Sequence, residues 1–316
     1  QGSSILQFGN LEELSSSILH LKVSQREGMI DSIAFIGFLA TFITVIGTVY
    51  VYVFVNEIFK SGFSFSKLIY ILPALVTLIF DFFTGRRSFL LIIFTISFMI
   101  IFAYIKRKNI RISIKTQIKI FVGASTAIIL FYLFFVNLGE LYGKAGDNTF
   151  AVYLSGGIAS FNQVYQDYSF TSEIFGQNTF RFIYLILNLI PGADFPTDTI
   201  NETFYHTGGL ATNVYTVNLN YMADFGYAGV ILNNFLIGIF YAYLYVKSKQ
   251  EEAIGYWNVL LAFFTIKLFS YMGAEKFFVS MSINLLQILL FYLLLKTPIL
   301  KKRQLKGETN AICIHT

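Results

Sequence analysis

Long apolar runs constrain this chain more than any other feature of its sequence. A helix needs about 20 mostly apolar residues to cross the hydrocarbon core of a bilayer, and about 17 to 25 are tolerated. One apolar run, residues 68–83, is shorter than this and has Asp81 near its end. We therefore predict an all-α fold, namely a polytopic transmembrane helix bundle. Seven segments meet or approach the length requirement: 33–55, 68–83, 88–105, 118–136, 227–246, 256–272 and 277–295.

The composition fits this class and excludes others. Of the 316 residues, 55% are hydrophobic and only 13% are charged, whereas a typical soluble domain has about 25% charged residues. The net charge of +5 comes from short basic segments beside the apolar runs, where membrane orientation explains it. We therefore reject nucleic acid as a partner. The single cysteine, Cys313, builds neither a disulfide framework nor a metal site, and we expect no metal and no cofactor.

Basic residues predict how the helices are oriented, because cytoplasmic loops carry an excess of Lys and Arg. Residues 106–119 hold six basic side chains and no acidic one, which indicates a cytoplasmic loop. Because the chain opens at Gln1 without a leader, we expect it to be a piece of a longer protein. The predicted organisation is an outer segment 1–32, four helices in 33–137, a large outer loop 138–221, three helices in 222–299 and a basic cytoplasmic tail 300–316.

The large outer loop contains one apolar run, residues 180–190, which Pro191 and Gly192 close. Eleven residues are too few to span a bilayer, so we predict an interfacial or re-entrant helix. The extracytoplasmic loop is therefore expected to be partly helical.

Arg86 and Arg87 lie in a short turn that the predicted topology puts outside, where paired arginines are disfavoured. Two guanidinium groups suit bidentate binding of phosphate, and a membrane-embedded diphosphate would be a natural ligand. Pairing with Asp81 or with lipid headgroups is the alternative.

Lys267 falls inside the sixth apolar segment, where a charged side chain costs a few kcal/mol unless it faces the bundle interior or snorkels outward. A structural pairing with Asp224 or Asp81 and a role in substrate binding both stay open for this lysine.

His206 is the only histidine in the outer loop, and Glu202 precedes it. Its ordinary pKa of about 6.5 allows it to act as a general base near neutral pH. A solvated or structural role is the alternative.

Two short motifs resemble those of a known family. They are TGRRS at 84–88, which opens an apolar helix, and TNVYT at 212–216 followed by YMADFGYAG at 221–229. The first resembles the arginine motif, and the second the exit from the large external loop, of bacterial oligosaccharide repeat-unit polymerases. These are the Wzy-type O-antigen and capsule polymerases of the O-antigen polymerase/ligase superfamily. The resemblance extends from about residue 33 to residue 295. Because family members usually have more than seven helices, it also implies further helices upstream.

The resemblance implies polymerisation of undecaprenyl-pyrophosphate-linked repeat units into O-antigen, capsule or exopolysaccharide. The reaction would occur at the outer face of the bacterial cytoplasmic membrane. The implied partners are the lipid-linked glycan donor and acceptor, the bilayer, and flippase and chain-length regulator proteins. Arg86 and Arg87 would contact the pyrophosphate.

Arg181 would be the third pyrophosphate-binding arginine, and as part of the large loop it would, with His206, help to bind or activate the sugars. His206 is the first choice of base. Further site candidates are the reserve bases Glu202, Asp194 and Asp198, together with Lys267, Asp224 and the tyrosine Tyr215, whose ring could stack on a sugar.

Three other functions remain open from the sequence. An O-antigen ligase, which moves finished glycan onto a lipid core, would need nearly the same site. A flippase or transporter would predict internal repeats and several charged residues within spans, and only Lys267 lies clearly within one. A purely structural membrane protein would leave the outward arginine pair unexplained.

Overall fold

The computed structural model describes residues 33–83, 88–107, 126, 157–158, 161–162, 165, 172–197, 205–207, 210–212, 216–269, 277–278 and 280–296. The regular secondary structure of this part of the chain is helical apart from one short hairpin, and loops such as residues 172–180 and 188–197 connect the elements. The chain divides into two compact units, Gln1–Phe150 and Ala151–Thr316, and each is described by itself.

The first unit is a cluster of apolar helices. Its elements are α1 (Ile33–Ser61), a 3₁₀ helix (Phe65–Ile71), α2 (Leu72–Phe83) and α3 (Ser88–Arg107). Helix α1 packs against both α2 and α3, and its Phe59 ring stacks on Tyr104 of α3 with centroids 4.8 Å apart. The Tyr104 hydroxyl donates a hydrogen bond to the side chain of Asn56 on α1. Aromatic and polar contacts therefore both join these helices.

The second unit contains α4 (Arg181–Leu187), α5 (Asn218–Gln250), α6 (Tyr256–Phe269) and α7 (Met281–Lys296). Helix α6 packs against α5 and α7. The ring of Phe264 on α6 lies edge-on to Phe240 of α5 at 5.1 Å, and Phe263 lies 4.9 Å from Phe291 of α7. Edge-on aromatic pairs add about 0.5–1.5 kcal/mol beyond area burial, so rings form much of the contact between these helices.

The turn between α5 and α6 is closed by the carboxylate of Glu251. It accepts hydrogen bonds from the backbone N–H groups of Trp257 at 3.1 Å and Asn258 at 3.2 Å, and from the Asn258 side-chain amide at 2.7 Å. A carboxylate at a helix N-terminus satisfies N–H groups that have no partner within the helix and complements the helix dipole. Glu251 therefore caps α6.

Helix α5 has a sharp kink at Gly226, whose φ is 63° and ψ is −157°. Only glycine adopts this combination readily. The kink divides α5 into a first segment, residues 218–225, and a second segment, residues 227–250. The predicted membrane span 227–246 begins directly after the kink.

One antiparallel hairpin is present among the described residues: β1 (Tyr205–Thr207) pairs with β2 (Leu210–Thr212). No strand is predicted for this loop from the apolar pattern. The pair that separates the strands in sequence, Gly208–Gly209, is typical of two-residue hairpin connections, so a local signal for the hairpin was present.

Helices occur at six of the seven predicted segments. The segment 68–83 differs in detail, because it starts as the 3₁₀ helix and becomes α-helical only at Leu72. Pro73 explains this start, because proline lacks an N–H and fits the first turn of a helix but not its interior. The fourth predicted segment, 118–136, lies outside the described residues apart from Thr126, and so do 1–32 and 300–316.

Two of the described helices are long and apolar enough to cross a membrane, by length and composition: Phe38–Ser61 and Asn218–Gln250. In the first, 50% of the most apolar window is buried, and in the second only 22% is buried. Helices α6 and α7 are apolar but shorter.

Candidate functional site

The carboxylate of Asp224 lies at the centre of a dense hydrogen-bond cluster. Its Oδ1 accepts hydrogen bonds from the backbone N–H of Asn178 at 3.1 Å, from the Asn178 side-chain amide at 3.0 Å and from the hydroxyl of Ser172. Its Oδ2 accepts one from the backbone N–H of Thr179 at 2.6 Å. The donors precede Asp224 by 45 to 52 positions, so this carboxylate fastens a distant stretch, residues 172–180, which we call the anchored loop.

The anchored loop is closely packed although much of it is polar. Gln177 and Asn178 are buried, and Thr179 is completely inaccessible. Gly176 has a φ of 70°, and a Cβ at this position would lie only 2.6 Å from the ring of Phe180. Backbone conformation and space therefore both require glycine at this point of the loop.

Aromatic side chains of the anchored loop also pack against rings outside the loop. The ring of Phe225 lies 4.9 Å from Phe175 and 5.8 Å from Phe180. The ring of Phe180 is edge-on to Phe278 at 5.8 Å, and Phe278 lies 6.0 Å from Tyr221. The loop is thus joined to the first segment of α5 by hydrogen bonds and by ring contacts.

Arg181 follows this loop directly as the first residue of α4 and is half-buried. The predicted helix in the apolar run 180–190 is confirmed for Arg181–Leu187. The run exposes large apolar side chains, and Leu189 has the greatest exposed fraction, 81%. A guanidinium group suited to phosphate therefore lies at the start of an exposed apolar segment. The other exposed members of that segment are Ile183, Leu185, Ile186 and Ile190.

Asp194 is exposed in the turn that follows α4. Asn188 closes this turn, because its side-chain amide donates to the Phe195 carbonyl at 2.9 Å and its Oδ1 accepts from the Phe195 N–H at 2.8 Å. Gly192 adopts a φ of 85° in the same turn. Asp194 is therefore exposed to solvent, and the turn that carries it is held by the hydrogen bonds between Asn188 and Phe195.

His206 lies in β1, where it is paired in register with Ala211. The sequence suggested His206 as a general base but did not predict that it lies in a strand. Four other predicted site residues, Arg86, Arg87, Glu202 and Tyr215, lie outside the described residues, as does the reserve base Asp198.

Tyr165 and Tyr227 share a hydrogen bond between their hydroxyl oxygens, which are 2.9 Å apart. This bond raises the pKa of Tyr165 above its ordinary value of 10.0, and the charge interaction with Tyr227 acts in the same direction. Tyr227 is the first residue after the Gly226 kink. The bond therefore joins the predicted outer loop to the beginning of the second segment of α5.

Lys267 is hydrogen-bonded to side-chain amide groups of the neighbouring helix α7. Its ammonium group donates to the side-chain oxygens of Asn284 and, at 3.0 Å, Gln287 on α7. It also lies 4.8 Å from the ring centre of Phe264 and 5.6 Å from that of Phe263, which is within the range of cation–π attraction. These contacts favour the structural alternative for Lys267, with the side-chain amides of Asn284 and Gln287 as partners. Asp224, one of the two acidic partners considered for this lysine, binds the anchored loop.

Of the predicted site residues, Arg181 and Asp224 are linked through the anchored loop, because Asp224 binds the backbone of Thr179, two residues before Arg181. The residues of the anchored loop that bind Asp224 were missed, although Gly176-Gln177-Asn178-Thr179 has the composition of a turn. Within the described residues, no group of three or more His, Cys, Asp or Glu side chains could hold a metal ion.

Comparisons of this chain with protein-family models, with curated proteins and with solved structures found no match. The function must therefore be inferred from the chain's own residues and geometry.

Proposed function

We propose that this chain is a membrane-embedded glycosyltransferase that polymerises undecaprenyl-pyrophosphate-linked oligosaccharide repeat units at the outer face of the bacterial cytoplasmic membrane. The observation that carries the proposal is the position of Arg181, half-buried at the start of the exposed apolar segment 181–190 and directly after the anchored loop. A lipid-linked pyrophosphate presents the complementary pair, a doubly charged group attached to a long apolar chain.

The polytopic transmembrane arrangement is part of the proposal. It is supported by α5, because only 22% of the most apolar window of this helix is buried, whereas the core helix of a soluble protein would be mostly buried. Contiguous exposed apolar surface of this kind is typical of a helix in contact with lipid or a partner. The basic residues at the end of α5, Lys247 and Lys249, fit the cytoplasmic side of such a span.

The proposed reaction joins two lipid-linked glycans. The bond between the anomeric carbon of the donor and its pyrophosphate oxygen breaks, and a hydroxyl oxygen of the acceptor repeat unit forms a new bond to that carbon. The hydroxyl proton goes to a base, for which His206 is the first choice and Glu202 or Asp194 the reserve. The undecaprenyl pyrophosphate leaves with the bonding electron pair.

Fixed guanidinium groups would promote this step because negative charge develops on the leaving pyrophosphate. Arg86, Arg87 and Arg181 would therefore bind the transition state more tightly than the ground state. Loss of one such contact is expected to lower the turnover number about 100- to 1000-fold. The apolar segment that begins with α4 would lie along the membrane and guide the prenyl chains, as interfacial helices do.

The test is single substitution by alanine of Arg86, Arg87, Arg181 and His206 in the full-length protein, with glycan chain length resolved on a gel. We expect each variant to lose long chains. Arg181→Lys should restore only part of the activity, because lysine keeps the charge but cannot bind bidentately. The matched control is Lys249→Ala, which removes one positive charge at the opposite end of α5 and should leave chain length unchanged. Normal polymer from all four alanine variants would refute the proposed site.

The glycan gel separates the proposed polymerase from an O-antigen ligase, and enzyme protection of the lipid-linked repeat units separates it from a flippase. Loss of long chains with single repeat units still attached to the lipid core indicates a polymerase, whereas loss of all attached glycan indicates an O-antigen ligase. A flippase would instead leave the lipid-linked repeat units on the cytoplasmic face, where they stay protected from enzymes added outside the membrane.

A further inference from the structure

Both oxygens of the Asp224 carboxylate are used by the anchored loop. Three donors, the hydroxyl of Ser172 and the two N–H donors of Asn178, converge on Oδ1, and the backbone N–H of Thr179 binds Oδ2. A carboxylate offers about four acceptor positions, so these bonds occupy most of its capacity. Within the described part of the chain, the partners of Asp224 are all neutral groups of a single loop. Such an arrangement suits holding a loop in place better than moving a proton.

The bonds to Asp224 fix the backbone immediately before Arg181. Thr179, whose N–H binds the carboxylate, is two residues upstream of Arg181. Between them, the backbone N–H of Phe180 donates to the carbonyl of Gly176 at 2.7 Å, and the Phe180 ring contacts Phe225. The backbone that leads from Thr179 into α4 is therefore held by hydrogen bonds and by ring packing.

Two buried polar atoms next to this path lack a partner among the described residues, the hydroxyl of Thr179 and the side-chain oxygen of Asn220. Both residues are completely inaccessible. Unsatisfied buried groups cost free energy, and the surrounding contacts, which include the hydrogen bonds to Asp224, have to offset this cost.

We propose that Asp224 is the positioning residue of the Arg181 site: it fastens the anchored loop to the kinked end of α5 and thereby sets where the Arg181 guanidinium meets the pyrophosphate. This assignment rests on the proposed function for the role of Arg181. The fastening itself can be measured without any activity.

The first measurement is hydrogen exchange of the full chain in detergent or nanodiscs. Asp224→Asn keeps the size of the side chain but replaces one acceptor oxygen by a donor. We expect exchange in peptides that cover 176–181 to become about tenfold faster, because these amides open locally when their acceptor is weakened. Exchange in peptides from α6 should stay unchanged, which verifies that the fold is retained.

The matched control is Glu173→Gln, which neutralises an exposed carboxylate of the same loop and should not alter exchange at 176–181. Ser172→Ala is the milder variant to use if Asp224→Asn does not fold, because it removes only one of the donors to Oδ1. We expect it to accelerate exchange less than Asp224→Asn. Unchanged exchange at 176–181 in the asparagine and Ser172→Ala variants would overturn the positioning role, whatever happens to activity.

The second measurement is a double-mutant cycle on polymer formation with Arg181→Ala, Asp224→Asn and the combination. If Asp224 acts through Arg181, the double variant is no less active than Arg181→Ala alone, because the losses are not independent. Losses that multiply would overturn the inference. A full-length wild-type protein that makes no polymer, together with faster exchange in Asp224→Asn, would refute the proposed function while supporting the anchoring by Asp224.

Discussion

The two segments of α5 belong to one helix, Asn218–Gln250, but lie in different environments. In the first segment, Leu219, Asn220 and Tyr221 are 0% exposed. In the second, Ile231 is 72% and Phe235 63% exposed. The first segment is thus a part of the folded protein interior, where polar groups such as Asp224 find protein partners. The second presents apolar side chains outward, as a helix in lipid does.

The change of environment coincides with the kink at Gly226. Kinks of this size have a local cause, and a glycine outside the helical region of conformational space is one of them. The kink ends the first segment where its contacts with the anchored loop end, and the predicted span begins at the next residue. Substitutions at and around it therefore test whether the two segments are separate structural units.

The largest effect is expected from Gly229→Ala. A Cβ at this position would overlap the Cβ of Phe225 and lie 2.9 Å from the carbonyl oxygen of Tyr221, so backbone has to move. We expect a loss of about 3 kcal/mol in unfolding free energy, at the upper end of the usual cost of overpacking. Thermal unfolding of the purified protein in detergent measures the loss.

Gly238→Ala is the matched control for this substitution, because the same change is made further along the second segment, at a position where no atom lies within 4 Å of the added Cβ. It should be neutral or stabilise by up to about 1 kcal/mol through helix propensity. Equal unfolding temperatures for the two alanine variants would show that the junction at Phe225 is not tightly packed.

A smaller effect is expected from Gly226→Ala. No atom lies within 4 Å of the added Cβ, so the cost comes only from the backbone conformation, about 1–3 kcal/mol. If the strain is relieved by straightening of α5, the anchored loop should also exchange its amide hydrogens faster. A variant as stable as Gly238→Ala, with unchanged exchange, would mean that the kink does not separate two units.

The smallest effect concerns the hydrogen bond that joins Tyr165 to the start of the second segment. Because the bond raises the pKa of Tyr165, it favours the protonated hydroxyl. Its contribution to stability is complete below the ordinary pKa of about 10 and disappears as the pH rises through the folded-state pKa. Tyr227→Phe should lower the pKa of Tyr165 toward 10, as followed by NMR of ring-labelled tyrosine.

Tyr243→Phe is the comparison for that titration, since it removes another exposed hydroxyl from the second segment. It should leave the pKa of Tyr165 where it was. If Tyr227→Phe also leaves it unchanged, the two hydroxyls are not bonded in solution, and this link between the loop and the second segment is absent.

Hydropathy predicted where the described helices lie because a helix satisfies the backbone hydrogen bonds of a long apolar run within the run itself. It did not predict the kink at Gly226 or the late start of α2 at Leu72. Each depends on the backbone preference of a single residue, Gly226 or Pro73, which an average over a window does not contain.

The candidate site was predictable only in its residue types. Arg181 became a candidate through the family resemblance, which marks the large outer loop as part of the site but does not indicate what surrounds each residue. The role of Asp224 could not be read from the sequence, because its partners Asn178 and Thr179 are 46 and 45 positions away. A lone sequence has no signal for a hydrogen bond over such a distance.

The cap formed by Glu251 has a consequence for the order in which the second unit folds. Glu251 reaches Trp257 across only six positions, so closing the turn between α5 and α6 costs little chain entropy. Closing the stretch between Asn178 and Asp224 costs more, because loop-closure entropy grows with length. Since local contacts form before distant ones, we expect the α5–α6 hairpin to assemble first and to serve as the preformed surface on which the anchored loop docks.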